Sequence, residues 1–261
     1  MESGIILLTL GAYGLAIFLW WREHSPNYLI AIMAGHVGAL LSPIWQALYG
    51  FSYSAQFAPL YTLLGHPLPR IIFVGAWTSM LPALLIFFLF RHRWWFSGYV
   101  TCIMTFVLFV LYHLLIEMIG IRRGWWCYTG QVALPFGLPL LPQTPATTTA
   151  LCGDPLLPFG LPVTFLAALM NGLISLGLLS VLLLTHRYAW TSLLLLLLPM
   201  PLLFSLFVHG LLGAPLYAAL LLGTQSWAGA IGMIGTLGLL IWGAHIVAGS
   251  LNQQLSARQT I

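Results

Sequence analysis

Glu117 is the only acidic side chain inside any long apolar stretch of this chain. It stands in the run His113-Leu-Leu-Ile-Glu117-Met-Ile-Gly120-Ile-Arg122-Arg123-Gly124-Trp125-Trp126-Cys127-Tyr128. A carboxyl group at bilayer depth costs roughly 2.5–3.5 kcal/mol on insertion scales, so a retained one is a functional group by default. His113 and Glu117 are spaced i, i+4, which puts both on one face of a helix, one turn apart. A buried carboxyl beside an imidazole can share a proton with it, and general acid–base work needs such an arrangement. The purely structural alternative is a salt bridge of Glu117 with Arg122 or His113 that holds the helix end. Arg122 either clamps an anionic group or anchors the helix in the headgroups, and Arg123 suits the anchor role.

Other polar residues fall at a similar height in the apolar runs. Gln46, Asn171 and His209 come from three further runs, and Trp77 from a fourth. Polar groups at membrane depth usually face the bundle interior and pair there. Together with His113 and Glu117 they point to a pocket in the outer half of the bilayer. Interhelical hydrogen bonding without chemistry is the competing role, and it suits Gln46 and Asn171 in particular. A bis-histidine haem needs two ligands at nearly one depth on facing helices. His36 lies roughly 12 Å from the inner end of its run by helical rise, and His113 and His209 roughly 22–28 Å. His36 therefore matches neither, His113 with His209 is an offset pair, and His245 has no mate. No cofactor or metal is expected.

These residues need helices to carry them. The chain is 261 residues long, 61% hydrophobic and 5% charged, whereas a soluble domain carries about 25% charged residues. No soluble fold fits. Eight arginines and no lysine rule out a Schiff-base lysine, and so a retinal protein. The net charge of +4 is too dispersed for a nucleic-acid surface. Seven runs approach the length of about 20 apolar residues that a span needs: 4–21, 28–48, 71–90, 98–120, 162–184, 190–212 and 227–248. The expected fold is an all-α, polytopic membrane bundle of about seven helices forming one domain, 1–261. The opening Met-Glu-Ser-Gly lacks the positive region of a signal peptide, so the first run reads as a retained span. Arg22, Arg91, Arg93, Arg187 and Arg258 follow alternate spans, while Arg70, Arg122 and Arg123 fall on the other side. The positive-inside rule then puts the N-terminus outside and the C-terminus inside. Trp20, Trp21, Trp94, Trp95, Tyr188 and Trp190 at inner ends, and Trp125, Trp126, Tyr128 and Trp227 at outer ends, fit interfacial belts. The membrane expected is a bacterial inner membrane.

Residues 49–70 and 129–161 make long outer loops. The second repeats Pro-Phe-Gly-Leu-Pro at 135–139 and 158–162, and a loop of that length suits a lid. Segment 213–226 is apolar but too short to span and reads as a re-entrant or interfacial piece. Cys102 lies inside a span as packing. Cys127 and Cys152 share the outer loop, where a bridge or two unpaired thiols are both compatible with an oxidising exterior.

The pattern Glu117-x-x-Gly120-x-Arg122-x-Gly124, then Tyr128, then a proline-rich stretch leading to Gly160-Leu-Pro162 resembles the membrane-embedded carotenoid hydratases and related carotenoid-biosynthesis proteins. The pair His113 and Glu117 is similar to that of membrane sterol double-bond isomerases. The resemblance implies a helix bundle that adds a proton, and then water, to an isoprenoid double bond. Glu117 would be the donor and His113 its partner. Trp125, Trp126, Tyr128 and Trp77 would line the cavity, the first three stabilising a carbocation through their ring faces. The implied partners are membrane lipids and an isoprenoid-like substrate. The alternatives are a non-enzymatic subunit of a respiratory or photosynthetic assembly, with other membrane subunits as partners, and a small-solute transporter. Neither an inverted repeat nor a pair of broken helices is evident in the sequence to favour the transporter.

Overall fold

Backbone polar groups placed in lipid must be paired within the protein, which helices and closed barrels achieve. The computed structural model describes residues 2–96, 98–128, 160–185, 190–222 and 226–259, and these are mostly helical. Six helical stretches are long and apolar enough to cross a membrane: Glu2–Glu23, Arg70–Arg91, Tyr99–Arg122, Thr164–Thr185, Trp190–Leu212 and Ala228–Ser256. The pair Asn27–Ala39 and Ser42–Tyr49, bent by 44°, makes a seventh if taken as one span. The seven expected runs are thus all helical, which is consistent with a membrane protein.

In chain order the elements are α1 (Glu2–Glu23), α2 (Asn27–Ala39), α3 (Ser42–Tyr49), β1 (Phe51–Tyr53), β2 (Pro59–Leu63), β3 (His66–Pro69), α4 (Arg70–Gly75), a 3₁₀ stretch (Ala76–Met80), α5 (Leu81–Arg91), α6 (Tyr99–Arg122), β4 (Trp126–Tyr128), α7 (Gly160–Thr185), α8 (Trp190–Leu197), α9 (Met200–Ser205), a π-helical stretch (Leu206–Leu212), α10 (Ala214–Leu222) and α11 (Ser226–Gln259). Helix α7 is the axis, with 78% of its apolar window buried against 11% for α1. Leu176, Leu179, Leu182 and Leu183 disappear completely into the core. Gly172 lets α7 close on α6, because a Cβ there would stand 2.8 Å from the Val110 side chain.

Three spans are interrupted, and proline lies near each interruption. Pro43 sits in the first turn of α3, Pro82 in that of α5 and Pro201 in that of α9, just after Pro199. Proline lacks an N–H and fits a first turn but not a helix interior. The breaks in α2/α3 and α8/α9 meet, since a Cβ on Gly38 would lie 2.9 Å from Pro201 Cβ.

One end of the bundle is closed by polar clasps. Arg91 pairs with Glu23 at 2.9 Å, His92 approaches the same carboxyl at 3.4 Å, and Trp20 stacks on Trp190. The other end carries the strands. The loop expected at 49–70 is in fact structured: β2 and β3 form a hairpin whose turn uses Leu64 and Gly65, both at positive φ. Strand β1 pairs antiparallel with β4, placing Phe51 opposite Tyr128, Ser52 opposite Cys127 and Tyr53 opposite Trp126. Segment 213–226 contains α10, which folds onto α11, and the Leu216 N–H donates to Thr236 Oγ1 at 3.0 Å. Cys102 is buried and free. Cys127 is disulfide-bonded. Residues 129–159, with the expected lid, Cys152 and Asp154, lie outside the described residues, as do Arg187 and Tyr188.

Candidate functional site

The end of α6 builds the site. Three backbone hydrogen bonds close the helix: Arg123 N–H to Ile119 O, Gly124 N–H to Ile121 O and Trp125 N–H to Gly120 O. Gly124 then turns the chain at φ +65°, a conformation that glycine adopts without steric cost. The reversal carries β4 back over the helix, and β1 holds it there. Trp126 lands on Gly120, where any Cβ would overlap its ring. From that seat Trp126 Nε1–H donates to Glu117 Oε2 at 2.8 Å, and the Tyr128 hydroxyl donates to the same oxygen at 3.0 Å. No donor among the described residues reaches Oε1. Burial, and next the neighbouring Glu117 carboxylate, push the Tyr128 hydroxyl well above the ordinary phenol range, so it stays a donor. Tyr53 meets Trp126 edge-on and shares a 2.7 Å hydrogen bond with Ser42.

Glu117 borders a cavity of about 500 Å³, within the roughly 300–1,000 Å³ usual for small-molecule sites. Trp125, Trp126, Tyr128, Tyr53 and Phe51 form its wall near the strands, and Trp77, His113, Asn171 and His209 also line it. Every interrupted span contributes: Gly38 and Ser42 at the first break, Gly75 to Met80 at the 3₁₀ stretch, and Pro201, Ser205 and His209 around the third. Irregular backbone at membrane depth is tolerated where it lines a cavity or is buried in protein, and mid-helix 3₁₀ and π turns often mark functional sites. Ile5 and Leu8 of α1 close a further wall. That helix is held by Thr9, which takes the Trp77 indole N–H at 2.8 Å and donates to Val74 O.

Three of the candidate residues stand apart from the carboxyl group or from the cavity. His113 does not reach Glu117, because its Nε2 lies 2.8 Å from Ser175 Oγ on α7. A partner on the packed helix competes better than one a turn away on the same helix. Arg122 is exposed and does not line the cavity. Five residues along the helix rotate it about 140° from Glu117. Gln46 is fully buried but stands outside the cavity, and its amide donates to Pro67 O at 2.9 Å, tying α3 to β3. Sequence reasoning missed Tyr53, Phe51, Trp45 and Ser175 as parts of the site. The signal for the first two is the pair of aromatic-x-aromatic triplets, Phe51-Ser52-Tyr53 and Trp126-Cys127-Tyr128.

His209 stacks on Trp45 with ring centres 5.2 Å apart. Ser205 Oγ accepts the Trp45 indole N–H at 2.9 Å and lies 3.3 Å from His209 Nδ1. Among the described residues, no three of His, Cys, Asp and Glu converge as metal ligands. No family model, curated protein or solved structure matches the chain.

Proposed function

We propose that this chain is an integral membrane enzyme that protonates a carbon–carbon double bond of an apolar, isoprenoid-class lipid, with Glu117 as the acid. The observation that carries the reading is the asymmetry of the Glu117 carboxyl. Both donors converge on Oε2, while Oε1 takes no donor among the described residues on the wall of an aromatic cavity. That arrangement suits a carboxylic acid with Oε2 as the carbonyl oxygen and the proton on Oε1. In the first step the Oε1–H bond breaks and a C–H bond forms at the less substituted alkene carbon. The π electrons supply that bond, leaving a cation on the neighbouring carbon. The faces of Trp125, Trp126 and Tyr128 stabilise this charge, and the carboxylate left behind keeps its two donors. Water adding to the cation and returning a proton to Glu117 completes a hydration. Loss of a different proton to Glu117 gives an isomer; attack by a second double bond of the same molecule closes a ring and moves the cation to a ring carbon, which then loses a proton to Glu117. The resemblance of the Glu117 to Tyr128 segment to carotenoid hydratases agrees with this chemistry. The proposed orientation is N-terminus outside and C-terminus inside, with the strands at the outer surface.

The three interrupted spans around the cavity favour a second reading, a carrier for an apolar solute, since broken helices build many transporter sites. One experiment separates the two. Membranes expressing the wild-type chain and Glu117→Gln are supplied with polyene lipids, and the lipid extracts are compared by mass. The enzyme reading expects a hydrated or isomeric product, lowered about 10²–10⁴-fold in the variant. Unchanged lipids in both, with uptake of the polyene, favour the carrier.

A further inference from the structure

The cavity has a second polar pole that the proton transfer does not use. The Asn171 amide faces the cavity half-buried and makes no hydrogen bond among the described residues. His209 is oriented through Trp45 and Ser205, whose contact is to Nδ1, and Nε2 has no partner among the described residues. Asn171 and His209 both line this cavity, and Asn171 stands one turn before Ser175 on the same face of α7. His113, held by Ser175, lines the cavity as well. Polar groups inside a protein are normally paired, by protein, water or ligand. Here an amide and an imidazole open together into a cavity whose remaining wall is mainly apolar.

The charges of the wall narrow what they can hold. Glu117 is the only charged residue among the described lining residues, and none of them is an arginine. Arg70 and Arg122 are exposed, with Arg70 Nε donating to Pro59 O. The stretch 129–159 contains no arginine, and the chain has no lysine. A phosphate or carboxylate on the ligand would sit in an apolar cavity with no cation among the described lining residues to pair with.

Resting on the enzyme reading above, we infer that the substrate is an uncharged lipid bearing one hydroxyl or carbonyl oxygen, and that Asn171 and His209 bind that oxygen. A hydroxyl both donates and accepts, so it satisfies the amide and either tautomer of His209. The oxygen fixes how far the chain enters, and so which double bond meets Glu117. Asn171 and His209 are thus specificity residues and Glu117 the catalytic one.

The test uses the purified full-length chain in lipid nanodiscs, with binding read by quenching of tryptophan fluorescence. The probes are a C20 prenyl alcohol, the hydrocarbon of the same skeleton and the corresponding carboxylic acid. The alcohol is expected to bind about tenfold more tightly than the hydrocarbon, and the acid no more tightly than the hydrocarbon at neutral pH. Asn171→Leu is expected to erase the advantage of the alcohol and leave hydrocarbon binding unchanged. His209→Phe, which keeps the ring on Trp45, supplies the same reading if Asn171→Leu does not fold. Glu117→Gln is expected to keep the preference for the alcohol. Equal binding of alcohol and hydrocarbon, tightest binding of the acid, or a preference that survives both substitutions overturns the inference while leaving the apolar cavity intact. Failure of all three probes to bind removes the apolar-ligand reading itself.

Discussion

Glu117 was legible as a candidate because a lone carboxyl in an apolar run is costly, and that cost is visible in the sequence. Its partners were less so. The i, i+4 spacing pointed to His113, but Ser175 sits on another helix and takes the imidazole. The glycine pattern carried more than a likeness. Gly124 reverses the chain and Gly120 leaves room for Trp126, so the spacing has a mechanical cause. Two predictions follow from that geometry. Tyr128→Phe keeps the ring but removes one donor, and product formation should fall about tenfold, in line with a hydrogen bond to a charged group worth roughly 1.5–3 kcal/mol. Gly120→Leu should expel Trp126 from its seat. Its steady-state rate should match that of Trp126→Phe, and its tryptophan emission should shift to the red. A Gly120→Leu variant with wild-type rate and emission would show that the indole is not held there.

At the scale of the elements, the spans were readable because about 20 apolar residues admit few other structures in lipid. The prolines that accompany the breaks were also present to be read, but the 3₁₀ and π stretches depend on packing between helices. The strands were hidden for a different reason. Three residues, as in β1 and β4, are too few for a period-two pattern to emerge, and pairing across more than seventy positions is not a local signal. The contact between the two breaks gives a direct prediction. Gly38→Leu forces a side chain into Pro201, and overpacking of this kind costs about 1–3 kcal/mol. The variant should unfold several degrees lower in a detergent thermal scan, while Gly14→Leu, on the open face of α1 where no atom lies within 4 Å, should leave the midpoint unchanged. Equal midpoints for both would mean that the breaks do not pack as described.

For the whole molecule, the proposed orientation rests on the arginine distribution and is open to a direct test. A fluorescent protein fused to the C-terminus should mature and fluoresce in the cytoplasm, and alkaline phosphatase at the same position should be inactive. The reverse pattern would invert the bundle and put the Glu117 cavity in the other leaflet. The bundle itself follows from composition, and the cavity from the way three interrupted spans pack around α6 and α7. The site therefore exists only once the long-range contacts form, which is why its wall was the part least visible in the chain. The central claim is that Glu117 delivers a proton to carbon, and solvent deuterium tests it most directly. With the protein incubated in D2O with an oxygenated prenyl lipid, each product molecule should carry one non-exchangeable deuterium on carbon, and Glu117→Gln should form this labelled product about 10²–10⁴-fold more slowly. Product formed without carbon-bound deuterium, or labelled product formed equally fast by the variant, would contradict it.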